Sequence, residues 1–417
     1  MRFFPQNNRQ NQHPPNMTFK SVNQILALVS VAFLSCVKSL AAPQAAEAPP
    51  PKDATLMYVG TFTDTPAKSK GIYLFWFRPT DAQMTLTPLG LAAETANPSF
   101  LTLDRKHHLL FCVNETDSFQ GKPGGAVSSF SIEPNTGKLT LINQQPSMGT
   151  RPCHIVLDKT GKNVIVANYN SGSVAVLPVD NGGNLGEPTC VIQDTGNSVN
   201  PARQTGPHAH CVTLSPDNRF AFVCDLGIDK VLIYKFDAEH GKLIPSDPAS
   251  VSVKPGSGPR HLTFSSNGQF AYLLCEMASS VTAFAYDAKA GTLKTLQTVS
   301  SLPSSFQGAN TAAEIAIEPS GKFLFASDRG ENSVAQFQID RRHGTLDWMG
   351  EQSTGGKTPR HFAIGPSGKN LVICNQDSDS VMNSTMDSAG KLMPATLLAN
   401  VPAPVCTVFL PVGSGAK

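Results

Sequence analysis

The sequence predicts an all-β chain folded as a seven-bladed β-propeller, and three observations carry that prediction. The first is a phrase that recurs seven times: an apolar residue, a large apolar residue three places on, and usually an acidic residue after three more. It reads Ile72–Phe75, Val127–Phe130–Glu133, Val174–Leu177–Asp180, Val231–Tyr234–Asp237, Val281–Phe284–Asp287, Val334–Phe337–Asp340 and Val381–Ser384–Asp387. Successive phrases start 47 to 57 residues apart, and a period near fifty filled with short strands marks propeller blades. The second is a Gly-x-Leu turn just after the phrase, at Gly137, Gly183, Gly241, Gly291, Gly344 and Gly390, where glycine supplies the positive φ of a hairpin turn. The third is composition: Gly 33 and Pro 32 punctuate the chain, and no helical heptads form.

The elements follow in order. Residues 1–41 read as a leader with a secretory signal: an Asn/Gln/Pro-rich start, a second Met at 17, Lys20, the apolar run Ile25 to Val37, and small residues at Ser39 and Ala41. The run is too short for a typical membrane span, so export to a secreted or periplasmic location is expected, with a buried helix or uncleaved anchor as the alternative. Residues 42–54 are an Ala/Pro linker, residues 55–411 the propeller and residues 412–417 a tail.

One repeat shows how a blade is built. His210 to Leu214 is a first strand, Ser215-Pro-Asp-Asn218 a turn, and Phe220 to Cys224 a second strand apolar enough to be buried on both faces. Lys230 to Phe236 alternates as a third strand, and Leu243 opens a fourth after the Gly241 turn. First strands begin near Asn97, Pro152, Pro207, Pro259, Ala313, Pro359 and Pro404. The N-terminal strand Leu56 to Gly60 has no first strand before it. The C-terminal segment Val405 to Leu410 is therefore expected to pair with it and close the ring. In the repeat holding Ser384, a serine replaces the large apolar residue, and a frayed or exposed third strand is expected there.

Cysteine usage does not suggest a disulfide framework. Cys112, Cys224, Cys275 and Cys374 fall in corresponding second strands, Cys153, Cys211 and Cys406 in first strands, and Cys190 elsewhere. Buried free thiols are expected, with a Cys211–Cys224 cross-strand bridge left open.

The net charge of +2, with 15% charged residues and no basic run, argues against nucleic acid as a partner. Against that sparse background, charge collects at one place. In a blade, the start of the first strand and the end of the second lie at the same end, and in a propeller that end faces the central channel. First-strand starts supply Asn97, His154, His208, His210, Arg260, His261, Glu314, Arg360 and His361. Second-strand ends supply Asn114, Glu115, Asn168, Tyr169, Asp225, Glu276, Asp328, Arg329, Asn375 and Gln376. Three arginines on one ring suit an anion with carboxylate or phosphate groups. Histidine and glutamate beside them can serve as acid or base. Hydrogen-bond pins between strand ends are the competing role for any one of these polar residues. His208, His210 and Asp225 have a spacing that permits a metal site, but no metal, cofactor or nucleophile-elbow motif supports one.

Nine short motifs then fall in order: Tyr58-Val-Gly-Thr-Phe-Thr63, Asn97-Pro-Ser-Phe-Leu101, Pro152-Cys-His154, Ala167-Asn-Tyr169, Pro207-His-Ala-His210, Gly258-Pro-Arg-His261, Ala313-Glu-Ile315, Asp328-Arg-Gly330 and Asn375-Gln376. By them the chain resembles the seven-bladed propeller lactonase family, which includes propeller-type 6-phosphogluconolactonases and 3-carboxy-cis,cis-muconate lactonising enzymes. The resemblance spans residues 55 to 411. Carried over by motif, it implies His210, Arg260, Glu276 and Arg329 as catalytic residues. Arg329 follows Asp328 where family members often have Asn.

The remaining rim residues His154, Asn168, His208, His261, Glu314, Arg360 and His361 are the expected substrate-binding set. The implied partner is a small anionic lactone, opened without cofactor or metal by water that Glu276 or His210 deprotonates. A lactonising cycloisomerase of carboxylated muconates and a non-catalytic binding propeller are the alternatives. The phosphogluconolactone reaction belongs to cytoplasmic sugar metabolism, so an exported chain would meet free sugar lactones or other environmental lactones, and a misread signal would leave the chain cytoplasmic. Oligomeric state is open.

Overall fold

Each repeat folds into a four-stranded antiparallel sheet, and there are seven such sheets. The structure, a computed structural model, describes residues 55–66, 68–79 and 84–412. The leader, signal and linker, and the tail after residue 412, lie outside the described residues. The ring closes as the sequence predicts. Pro404–Pro411 forms the inner strand of the first blade and pairs antiparallel with Thr55–Thr61, Leu56 opposite Leu410 and Tyr58 opposite Val408.

The second strands carry the stability of the ring. Leu109–Asn114, Asn163–Asn168, Phe220–Asp225, Phe270–Cys275 and Asn370–Asn375 are buried along their whole length. Both faces of each sheet pack on a neighbour, so an uninterrupted apolar run is what the position selects. Seven apolar clusters result, each shared by two adjacent blades. In one of them Phe222 meets Phe264 and Tyr286 of the next blade edge-on, with ring centroids 5.3 and 5.7 Å away.

The turn glycines do two jobs. All six have positive φ, between 61° and 84°. Most of them also press on the first residue of the preceding blade's second strand. A Cβ on Gly344 would sit 2.2 Å from Phe270, and one on Gly291 would sit 2.3 Å from Phe220.

Two expectations are corrected. The repeat holding Ser384 has an intact third strand, Ser380–Thr385, buried except at its last residue. The Ser384 hydroxyl donates to the Met393 carbonyl at 2.5 Å, and Asn370 donates to Asn383 at 2.7 Å. Hydrogen bonds replace apolar contact there. The inner strand of the second blade begins at Leu101, not Asn97. Asn97 takes a left-handed φ of 39° and ties the first blade to the second, accepting from the Thr63 amide and donating to the Glu115 carbonyl. The same blade carries an extra two-residue hairpin, Ser118–Phe119 with Lys122–Pro123. Cys211 and Cys224 do stand opposite each other across two strands, as free thiols.

Candidate active site

Two successive residues of a strand normally face opposite ways. The inner strands break that rule where the chemistry is concentrated. In six blades the register between the first and second strands slips near the start of the inner strand: Pro152/His154, Ala209/Cys211, Pro259/His261, Ala312/Ile315, Pro359/His361 and Pro404/Cys406. The residues inside these bulges are Cys153, His210, Arg260, Ala313 with Glu314, Arg360 and Val405. A bulge re-aims side chains, so neighbours such as Arg260 and His261 both reach the channel, in two layers.

The outer layer is a charge cluster centred on Glu276, at the end of its second strand. Glu276 Oε2 is 2.6 Å from Arg260 Nη1, 3.1 Å from Arg329 Nη2 and 3.8 Å from His210 Nε2. Oε1 accepts from Arg203 Nη2 at 2.8 Å. Arg260 is held by the Ala313 carbonyl at 2.7 Å, and Arg329 by the Thr311 and Ala312 carbonyls. All four residues implied by the resemblance thus converge. Burial pushes the Glu276 carboxyl up, but Arg260, Arg329, His210 and Arg203 outweigh it and hold the group well below the usual carboxylate range. Burial, then Arg260 and His261, holds His210 well below an ordinary histidine against the opposing pull of Glu276. His210 is therefore neutral at pH 7. Arg260 can only donate in their 2.7 Å contact, so His210 Nε2 is the acceptor and Nδ1 carries the proton.

The inner layer is made by His154, His261 and His361, each one residue past its bulge, and by Glu314, the second residue of its own bulge. His261 Nδ1 is 3.2 Å and His361 Nε2 3.5 Å from the Glu314 carboxylate. Phe100 packs on His154 at 4.3 Å and edge-on to His261 and His361. Burial raises Glu314, but the two histidines prevail and bring it to about 2, while burial lowers His361 to about 4. The cavity between the layers, lined by Glu115, Cys153, His210, Arg260, Glu314 and Arg360 among others, has about 10 Å³, room for about one water. His154, His261, Glu314 and His361 thus form a tight floor beneath the cluster. Arg360 sits over the Phe62 ring at 4.9 Å.

Asn168 and His208 go elsewhere. Asn168 is fully buried and donates to the Ser147 carbonyl and Ser173 hydroxyl. Asn375 and Asn114 make the corresponding clamps in their blades. Asn168 is a strand pin, which corrects its expected place in the substrate-binding set. His208 stacks on Tyr169 at 4.6 Å and donates from Nδ1 to the Tyr169 carbonyl. Asp225 accepts from the His208 and Gly227 amides through Oδ1. Among the described residues no three His, Cys, Asp or Glu side chains converge as ligands.

Sequence reasoning missed Arg203. It lies in the connection 194–208 between two blades, a loop long enough to suggest function. Its guanidinium also donates to the Tyr169 hydroxyl at 2.8 Å.

A sequence profile of the family described as lactonase, 7-bladed beta-propeller matches residues 56–409. The chain is 33% identical over 354 residues to a 6-phosphogluconolactonase of Bacillus subtilis, covering 85% of this chain and 97% of the relative. It is 35% identical over 350 residues to a 6-phosphogluconolactonase of Formosa agariphila, covering 82% and 97%. The structure of a periplasmic gluconolactonase of Pseudomonas aeruginosa superposes with a TM-score of 0.80 at 35% identity, covering 86% of this chain and 99% of that one.

Proposed function

The chain belongs to the seven-bladed β-propeller lactonase family and is a carboxylic ester hydrolase; from that premise we propose that it opens an anionic sugar lactone of the 6-phosphoglucono-δ-lactone type at the Glu276 cluster. The observation that carries this is the meeting of one carboxylate, three guanidiniums and a neutral histidine at the channel mouth.

Water is the nucleophile and His210 the base. A carboxylate held as low as Glu276 binds a proton too weakly to serve as one. His210 is neutral, and a bound anion offsets the Arg260 and Arg360 charges that depress it, so substrate binding strengthens the base. As substrate docks, Arg260 Nη1 turns from His210 Nε2 to the substrate, and the freed Nε2 takes one proton from water as the oxygen adds to the lactone carbonyl. Arg329 and Arg260 donate to the resulting oxyanion. The ring C–O bond then breaks, and the imidazolium returns its proton to the departing ring oxygen. Glu276 stabilises the transient imidazolium and keeps the guanidiniums in place.

A second reading, an exported enzyme for unphosphorylated gluconolactone, is supported by the signal-like leader and the likeness to a periplasmic gluconolactonase. Initial rates on freshly prepared 6-phosphoglucono-δ-lactone and glucono-δ-lactone, above spontaneous hydrolysis, separate the two. The proposal expects saturable turnover favouring the phosphorylated lactone, reduced at least ~100-fold in Glu276→Gln and His210→Asn. Preference for the neutral lactone supports the second reading, and rates equal to background on both refute each.

A further inference from the structure

Three guanidiniums hold Glu276, but they are not equivalent. The Arg260 and Arg329 side chains are 4% and 12% exposed, whereas Arg203 is 39% exposed. Arg260 and Arg329 share Oε2 beside His210, and Arg203 takes Oε1. Arg203 therefore marks the solvent side of the cluster.

The Arg203 loop is built. The Asn200 carboxamide oxygen accepts from the Ala202 and Arg203 amides at 3.0 and 3.1 Å, and its carbonyl accepts from the Gln204 amide at 2.8 Å. Gln204 is fully buried and donates to the Leu226 carbonyl at 2.9 Å. Ser198 donates to Asp229 at 2.5 Å. The tip of Arg203 is steered as well: the Tyr169 hydroxyl that accepts from Nη2 belongs to a ring stacked on His208. Both of its hydrogen bonds use Nη2. Among the described residues Nε and Nη1 have no hydrogen-bond partner, which leaves three N–H donors of the fork for a ligand.

We propose that Arg203, backed by Tyr169 and His208, is the specificity-determining residue for the anionic group remote from the lactone carbonyl, a phosphate on the sugar. The inference rests on the lactonase reading above. With the carbonyl at Arg260, Arg329 and His210, the far end of the sugar ring points to the open side where Arg203 stands. A tetrahedral dianion suits the forked donors of a guanidinium, and Glu276 holds the fork in place until it arrives.

The test is the ratio of kcat/KM for 6-phosphoglucono-δ-lactone to that for glucono-δ-lactone in wild type, Arg203→Gln and Arg203→Lys. Alongside it, 6-phosphogluconate and gluconate are titrated calorimetrically into the same proteins. The expected result is a fall of about tenfold or more in the ratio for Arg203→Gln, carried mainly by KM, with part restored in Arg203→Lys. An unchanged ratio overturns the proposal. If both lactones slow alike, Arg203 only steadies Glu276. If neither slows, it is idle. Should the wild type hydrolyse neither lactone, the proposed function fails, but the titration still decides. Weaker binding of 6-phosphogluconate relative to gluconate in Arg203→Gln supports the subsite, and equal binding or none removes it.

Discussion

Glu276 matters as a fixed negative charge. Three guanidiniums within hydrogen-bond reach keep it ionised, so proton traffic falls to His210, which burial and Arg260 keep neutral. That division predicts a pH profile. A base works unprotonated, so activity rises with pH through its pKa and then levels. In the free enzyme burial and Arg260 hold His210 well below 6.5, so kcat/KM is flat around neutrality and falls only in acid. Bound anion raises His210, so the acid limb of kcat sits at higher pH than that of kcat/KM. A kcat/KM inflection at or above 6.5 would reassign the base. At this scale the sequence was largely legible. Motif order brought out His210, Arg260, Glu276 and Arg329. Arg203 was not legible, because a loop outside the repeat carries no register from which to place it.

At the scale of the element, the inner-strand bulge explains what alternation alone mistook. Strand-start position placed His154, His261, Glu314 and His361 in the same rim as His210 and Arg260. The slip in pairing puts them one layer deeper, where they contact one another and Phe100. No residue type announces a bulge, so that depth could not be read from sequence. The turn glycines could, since positive φ leaves few alternatives. Their second role, against the neighbouring blade, is a packing fact only the structure supplies. Gly344→Ala combines a φ of 76° with a Cβ 2.2 Å from Phe270, and is expected to destabilise by about 1–3 kcal/mol. Gly206→Ala, with nothing within 4 Å, is expected to stay within about 0.5 kcal/mol. Urea unfolding midpoints compare the two.

On the scale of the whole molecule, seven sheets share seven apolar interfaces, and the first blade exists only because the C-terminal strand completes it. Period and strand inventory foretold that closure. Deleting residues 404–417 removes the inner strand, bares the edge of Thr55–Thr61 and the apolar face around Met57 and Phe75, and is expected to abolish the cooperative thermal transition. An unchanged midpoint would mean that the ring does not depend on its seam. Closure also brings residues from three successive blades to one carboxylate: His210, then Arg260 with Glu276, then Arg329. The most direct test of the account is a crystal structure of the protein with 6-phosphogluconate bound. The account predicts the C1 carboxylate at Arg260 and Arg329, within hydrogen-bond reach of His210, and the phosphate on the Arg203 side. Product bound away from Glu276, or at the cluster with the phosphate turned from Arg203 and the carboxylate out of reach of His210, would contradict it.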